Sequence, residues 1–532
     1  MWQKIAGMGP GRTTLLALAA GTAAAARPSI LFLMPDQWRY DWDSFEHPGE
    51  GAVDLRLPNL AKLASRGTRF RNAYVQAVVC APSRSTMASL RDYDFAGTAT
   101  NGANDYDVSI PTYFSRLRDA GGYHTMTTGK DDLTKASQLG FHKNYSTKNA
   151  SDTYHMRELG FSDGLRYSGK EDVVQTFPAP HEAYGYMLDG TTVTLGNGTA
   201  VNAFHAHAAC IRGEAWCDDG AMFPHGLYED DWTAANARLL IERAPADRPF
   251  FLWVSFPGPH DPFAVTADMH AGVAARDYPA AVDEPGPPRP RCADLPRGAP
   301  GLNRTRCNYA AELENLDRLF GSVVDAAAAK AGDDLVVCAF SDHGEMLDDH
   351  GDTAKSKPWQ GAVSVPLVCA GPGIVENRIV EAPAAVYDLG ATALDFAGVA
   401  PPPGVDASSM RGLLEGADER DRNRTVVLSG LRSAPFPGEA PPDDAPEAFD
   451  FRLAVAAVDN EGTFKYVCCV GACPGSPSTA PPPDADGYTR LLFDTVADPF
   501  DMRDVKADHP DVAERLRAAL PVAHGFNCTR HT

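Results

Sequence analysis

The stretch Ile30-Leu31-Phe32-Leu33-Met34-Pro35-Asp36-Gln37 decides the fold of this chain. An apolar run without polar alternation describes a strand buried on both faces, and the change to Pro-Asp-Gln marks its end. The same pattern returns at residues 125–128, 250–256, 335–340 and 366–369. Helical spacing separates these runs: 59–66 with Gly67 as its C-cap, 110–120, and 309–329, where Leu313, Leu316, Phe320 and Val323 share a face. Such alternation predicts an α/β fold built on a mostly parallel sheet covered on both sides. Residues 279–300 and 400–446 are rich in Pro and read as loops. Beyond them, runs at 453–457, 463–467 and 491–493 predict a small antiparallel sheet, followed by a helix over 512–520. The expected division is therefore 27–400 for the main domain, 401–446 for a linker and 447–532 for a C-terminal subdomain.

In parallel sheets, function gathers where the strands end. Here the ends carry Asp36-Gln37, Gly129-Lys130, His260 and Asp342-His343. Any one of these acids alone would read as a turn or a helix cap. All of them together predict a charged site at one sheet edge. A further stretch, Cys80-Ala81-Pro82-Ser83-Arg84, places Pro82 in the first turn of a helix running through Ser85, Met87 and Leu90. Cys80 then sits just ahead of a helix N-terminus, whose free N–H groups attract anions.

With 70 acidic against 48 basic residues, the chain carries a net charge of -22, which disfavours a nucleic-acid or anionic-membrane partner. Residues 1–26 read as a secretory signal peptide, with Lys4 and Arg12 ahead of the apolar run 15–26, and no later run is long enough to span a bilayer. Asn-x-Ser/Thr sequons at Asn144, Asn149, Asn197, Asn303, Asn423 and Asn527 suit a glycosylating lumen, and hence an extracellular or lysosome-like destination. Of the cysteines, Cys210 with Cys217 and Cys292 with Cys307 are the expected local bridges. Cys338 and Cys369 lie in apolar runs and read as free core thiols. Pairing among Cys468, Cys469, Cys473 and Cys528 is left open.

The Cys-x-Pro-Ser-Arg stretch resembles the site at which type I sulfatases oxidise a cysteine to formylglycine. The resemblance extends over about 27–510. It implies an alkaline-phosphatase-like fold: a mixed, mostly parallel sheet sandwiched by helices, with a smaller C-terminal antiparallel sheet and helix. It further implies that Asp36, Gln37, Asp342 and His343 bind one divalent cation together with modified residue 80, Ca2+ by preference and Mg2+ second. Pro259-His260-Asp261-Pro262 resembles the element whose histidine faces substrate. Asp348-Asp349-His350-Gly351, followed by Lys355 and Val365-Pro366-Leu367, resembles the block carrying a catalytic lysine, and the register selects Lys355 over Lys357. Gly129-Lys130-Asp131-Asp132 is similar to the family's Gly-Lys-x-His, with Asp132 in the histidine place as in arylsulfatase K-like members. Arg91-Asp92-Tyr93-Asp94-Phe95 resembles the iduronate 2-sulfatase branch. The pattern departs at Leu90, where glycine is usual, and at Gln360 and Ser364.

On this resemblance the expected activity is hydrolysis of an aryl or carbohydrate sulfate, with uronate 2-sulfate as a narrower candidate. Cys80, Arg84, Lys130, His260 and Lys355 are the expected catalytic residues, and Lys130, Asp132, His260 and Lys355 the substrate-binding ones. The formylglycine-generating enzyme is the implied maturation partner. Two alternatives stand beside it: a phosphonate monoester hydrolase or phosphodiesterase, which Asp36-Gln37-Trp38-Arg39 also resembles, and a non-catalytic relative with Cys80 unconverted.

Overall fold

The apolar run that opens the chain forms strand β1 (Ser29–Pro35), all of it buried. The structure is a computed structural model describing residues 27–47, 53–101, 105–135, 153–175, 177–180, 182–194, 198–211, 225–282, 291–295, 302–421, 424–433, 450–458, 462–475 and 481–528. Residues 1–26, the expected signal peptide, and Asn144, Asn149, Asn197 and Asn423 lie outside the described residues. No helix among the described residues is long and apolar enough to cross a membrane.

Strands β2 (Gly67–Tyr74), β3 (His124–Gly129) and β4 (Asp163–Arg166) follow, then a separate hairpin of β5 (Thr192–Thr194) and β6 (Ala200–Asn202). The main sheet is completed by β7 (Phe250–Phe256), β8 (Leu335–Phe340), β9 (Ser364–Ala370), β10 (Arg378–Val380) and β11 (Ala384–Ala385). Its order is β10-β2-β9-β8-β1-β7-β3-β4, with β11 beside β2. β1 is parallel to β7 and β8, and β3 to β7 and β4, whereas β9 runs antiparallel to β2 and β8.

Helices cover both faces: α1 (Pro58–Ser65), α2 (Cys80–Ser89), α3 (Tyr113–Asp119), α4 (Glu229–Arg243), α5 (Leu302–Ala331) and α6 (Asp388–Phe396). Ile30, Phe32 and Met34 join the core containing Tyr113, Phe114 and Leu394, while Leu31 and Leu33 join the one containing Leu240, Leu313 and Leu316. Alternate side chains of one strand thus enter two cores, which is why the run has no polar alternation. The expected C-cap at Gly67 is corrected: Arg66 caps α1 and Gly67 opens β2. A Cβ there would lie 2.1 Å from the Cys369 carbonyl oxygen, so glycine serves strand approach rather than the helix end.

The C-terminal sheet has the order β12 (Val427–Arg432), β13 (Asp450–Val458), β14 (Gly462–Val470), β15 (Tyr488–Asp494), all antiparallel, with helix α7 (Pro510–Ala519) on one face. The expected linker 401–446 is therefore corrected, since β12 falls inside it. Phe451, Leu453, Val455 and Val467 face the main core, and Phe464, Tyr466 and Leu492 face Val512 and Leu516 of α7. Across this junction Arg452 forms a bidentate, buried pair with Asp94, at 2.8 and 2.5 Å. Arg452→Met strands a buried carboxylate and is expected to cost about 3–5 kcal/mol. Denaturant unfolding should show it, and adding Asp94→Asn should recover part of the loss.

Cys292 pairs with Cys307 as expected. Cys338 and Cys369, expected free, form a disulfide. They stand directly opposite on β8 and β9, a register that exists only because β9 is reversed. Cys468 pairs with Cys528 and Cys469 with Cys473. Cys210 is disulfide-bonded, and its expected partner Cys217 lies outside the described residues. Among the described residues Cys80 is the free cysteine.

Candidate active site

Because β8, β1, β7 and β3 are adjacent and parallel, the residues after them meet at one edge. Asp342-His343, Asp36, His260 and Lys130 arrive there in that order. β2 brings the chain to the same edge, and α2 begins at Cys80 itself, one position earlier than expected, with every residue of the helix buried. Gly129, at φ +89°, permits the turn into Lys130, and a Cβ there would lie 1.9 Å from the Ser255 carbonyl oxygen.

Arg84, one turn into α2, is fully buried and fixes two carboxylates. Its Nε donates to Asp342 Oδ2 at 2.8 Å, its Nη2 to Asp36 Oδ2 at 3.0 Å, and its Nη1 to Ser255 Oγ at 2.8 Å. His343 Nδ1 donates to the Gly344 carbonyl at 3.0 Å, which turns Nε2 toward Cys80 Sγ at 3.2 Å and Asp36 Oδ1 at 3.4 Å; burial would lower this imidazole, but Asp342, Cys80 and Asp36 raise it to about 9. Lys130 Nζ donates to Asp36 and lies 3.6 Å from Cys80 Sγ and 3.4 Å from Asp132. Burial works to raise the Asp36 carboxyl, but Lys130, His260, Arg84 and His343 outweigh it and hold it well below the usual carboxylate range. Burial and Asp36 raise the Cys80 thiol, yet Lys130, Lys355 and His343 bring it well below its ordinary value. Cys80 is thus surrounded by positive charge, the environment an anion requires.

Donor atoms of Asp36, Cys80, Asp342 and His343 all lie within 4.8 Å of one another and are buried. Two carboxylates already oriented by Arg84, with one imidazole nitrogen that would give up its proton to a bound metal, fit a hard divalent cation. Gln37, expected as a further ligand, lies at the same edge, its backbone N–H donating to Asp342 Oδ1 at 3.1 Å. Its Oε1 accepts from Lys355 Nζ and its Nε2 donates to Glu345, so the amide bridges the two halves of the site. Lys355 Nζ also meets His260 Nε2, while His260 Nδ1 bonds to the Asp261 carbonyl oxygen. Lys357 instead pairs with Asp352 at 3.1 Å, in keeping with the register argument.

Comparison with known proteins settles the family. The family model described as Sulfatase matches residues 28–399. The chain belongs to the sulfatase family. It is similar to the choline-sulfatase of Rhizobium meliloti (strain 1021), 27% identical over 513 residues, covering 91% of this chain and 83% of that one. It is also similar to the arylsulfatase K of Danio rerio, 25% identical over 391 residues, covering 73% and 68%. Among solved structures, the phosphonate monoester hydrolase of Agrobacterium radiobacter superposes with a TM-score of 0.65 at 21% identity, covering 93% and 94%. That likeness shows the alkaline-phosphatase-like fold. The chain is a sulfuric ester hydrolase by family.

Glu345 shapes this sulfatase's site without a sequence-level role to announce it, and Arg39, Asp132 and Leu90 take places that their motifs did not specify. Glu345 is buried and accepts from Leu347 N at 3.0 Å and Ala354 N at 2.6 Å, which fixes the loop reaching Lys355. Arg39 turns away from the site: it pairs with Asp41 and Asp349 and donates to the Met346 carbonyl at 2.9 Å. In the Asp36-Gln37-Trp38-Arg39 stretch, the first two residues serve the site and the last two the scaffold. Asp132, expected at the substrate, is buried between Lys130 and Lys135, 3.4 Å from each. Leu90, in the place expected for glycine, is left-handed at φ +60° and caps α2 with its side chain buried.

Proposed function

We propose that this sulfatase hydrolyses aryl or carbohydrate sulfate esters through formylglycine made from Cys80, with Asp36, Asp342 and His343 holding a divalent cation, Ca2+ first. The observation that carries the reading is the gathering of Cys80, Arg84, Lys130, His260, Lys355 and the paired carboxylates around one buried point. As its hydrate, formylglycine would supply two hydroxyls, one to attack sulfur and one to expel sulfate; a bound cation would supply charge neutralisation. The chain's own residues do the rest. Arg84 holds Asp36 and Asp342 apart and oriented. Lys130, between Asp36 and Cys80, neutralises a sulfate oxygen. When the ester C–O–S linkage breaks at sulfur, the alcohol oxygen takes a proton, and the Lys355–His260 pair is placed to give it.

Removing the donor should matter most when the alcohol is a poor leaving group. His260→Ala is expected to slow alkyl sulfates by about 10²–10⁴-fold and activated aryl sulfates much less. Steady-state kinetics on both classes checks this, and equal losses would reassign the acid. Secretion through a glycosylating lumen and maturation by a formylglycine-generating enzyme complete the reading. Mass spectrometry of the peptide containing residue 80, with sulfate-ester and phosphodiester assays on the same preparation, tests it. Unmodified cysteine without sulfatase activity, or phosphodiester turnover dominating, would overturn it.

A further inference from the structure

β4 is parallel to β3, so the chain leaving it reaches the same sheet edge as Lys130. The segment Gly169-Lys170-Glu171-Asp172 then runs along the site and touches its parts in turn. Gly169, at φ +122°, lies against the Lys130 stem, its Cβ position 3.1 Å from Lys130 Cδ. Lys170 Nζ donates to the carbonyl of Pro262, in the loop carrying His260, at 3.4 Å, and pairs with Glu312 at 2.6 Å. Asp172 pairs with Lys135 at 3.1 Å. Between them Glu171 is exposed, and its carboxylate forms no hydrogen bond or ion pair among the described residues.

Glu171 follows Lys170, whose Nζ reaches the Pro262 carbonyl in the loop carrying His260, so it lies on the segment beside the end of the site that handles the alcohol. The charges its carboxylate senses are those of Asp261, His260 and Lys355, the groups around the proton-donating pair. The cations flanking it are already matched: Lys135 by Asp132 and Asp172, Arg166 by Asp131, and Lys170 by Glu312. Lys355 and His260, the proton-donating pair, face Gln37 and Asp261, whose carboxylate lies 3.4 Å from His260 Nδ1. The carboxylate on the alcohol side that no cation pairs with among the described residues is therefore that of Glu171.

We propose that Glu171 is a specificity-determining residue, favouring sulfate esters whose alcohol carries positive charge and disfavouring those with a carboxylate beside the ester. The assignment rests on the sulfatase reading above and narrows it, in the direction opposite to a uronate 2-sulfate. Like charges brought together at a partly desolvated site repel, and opposite charges there attract.

The test uses full-length, secreted protein with residue 80 converted, and three phenyl sulfates bearing a 4-aminomethyl, 4-hydroxymethyl or 4-carboxyl group. The readout is the ratio of kcat/KM for the aminomethyl ester to that for the carboxyl ester. In the unaltered protein this ratio should exceed one by about tenfold; Glu171→Gln should bring it near one, and Glu171→Lys should invert it. Because the ratio is taken within one preparation, partial unfolding of a variant does not alter it. A ratio that is the same in all three proteins, or one that favours the carboxyl ester in the unaltered protein, overturns the assignment of Glu171. Failure of the unaltered protein to cleave even the hydroxymethyl ester overturns the sulfatase reading itself, and this inference with it.

Discussion

Cys80→Ser is expected to leave the protein folded and to lower steady-state sulfate-ester turnover on the order of 10⁴-fold or more, the scale of losing a covalent nucleophile. Serine nearly matches cysteine in size, and residue 80 is buried at the head of α2 among Asp36, Lys130 and His343, so the surrounding geometry should survive. The difference is chemical. A serine hydroxyl can attack sulfur once, releasing the alcohol, but it has no second hydroxyl with which to expel the sulfate it has taken. The variant should therefore complete a single turnover and stop, carrying a sulfate ester on residue 80 that mass spectrometry of that peptide would register. Cys80→Ala, which cannot attack, should accumulate no adduct. Multiple turnovers by the serine variant at a rate within tenfold of the unaltered protein would show that residue 80 is not the nucleophile.

The parts of the fold that the sequence made legible are those where one local signal suffices. β7 and β8 occupy the predicted residues 250–256 and 335–340 because an unbroken apolar run has one stable fate in a sheet covered on both faces. The direction of β9 carries no local signal, and with it went the Cys338–Cys369 bridge, which depends on two residues meeting across strands. β12 was hidden for a different reason: Val427-Leu428-Ser429-Gly430-Leu431-Arg432 is short and contains Gly in a Pro- and Asp-rich region. It is a strand because β13 pairs with it. At the site, the residues at strand ends were readable from type and place. Glu345 and Gly169 to Asp172 were not, since their roles come from what the fold sets beside them. Gln37 stands at the site its motif announced, and the motif carried no sign that its amide also joins Lys355 to Glu345.

Arg84 carries a large expected stability effect and also probes the cation. Its guanidinium is fully buried and satisfies both Asp36 and Asp342, and burial, which would lower its pKa, is outweighed by those two carboxylates. Arg84→Met keeps much of the volume but leaves two carboxylates buried against each other. Breaking a buried pair in this way costs about 3–5 kcal/mol. Denaturant unfolding in chelator should show that loss as a lower midpoint with little change in slope. A divalent cation binding the folded state alone stabilises by mass action, so Ca2+ should raise the midpoint of both proteins. The gain should be larger in the variant, where no guanidinium shares the two carboxylates with the ion. A loss below about 1 kcal/mol would mean that the site tolerates the unpaired acids, against the geometry described for Arg84. Equal cation effects in both proteins would separate the cation from Asp36 and Asp342, and Cys80 and His343 would then have to hold it with other ligands.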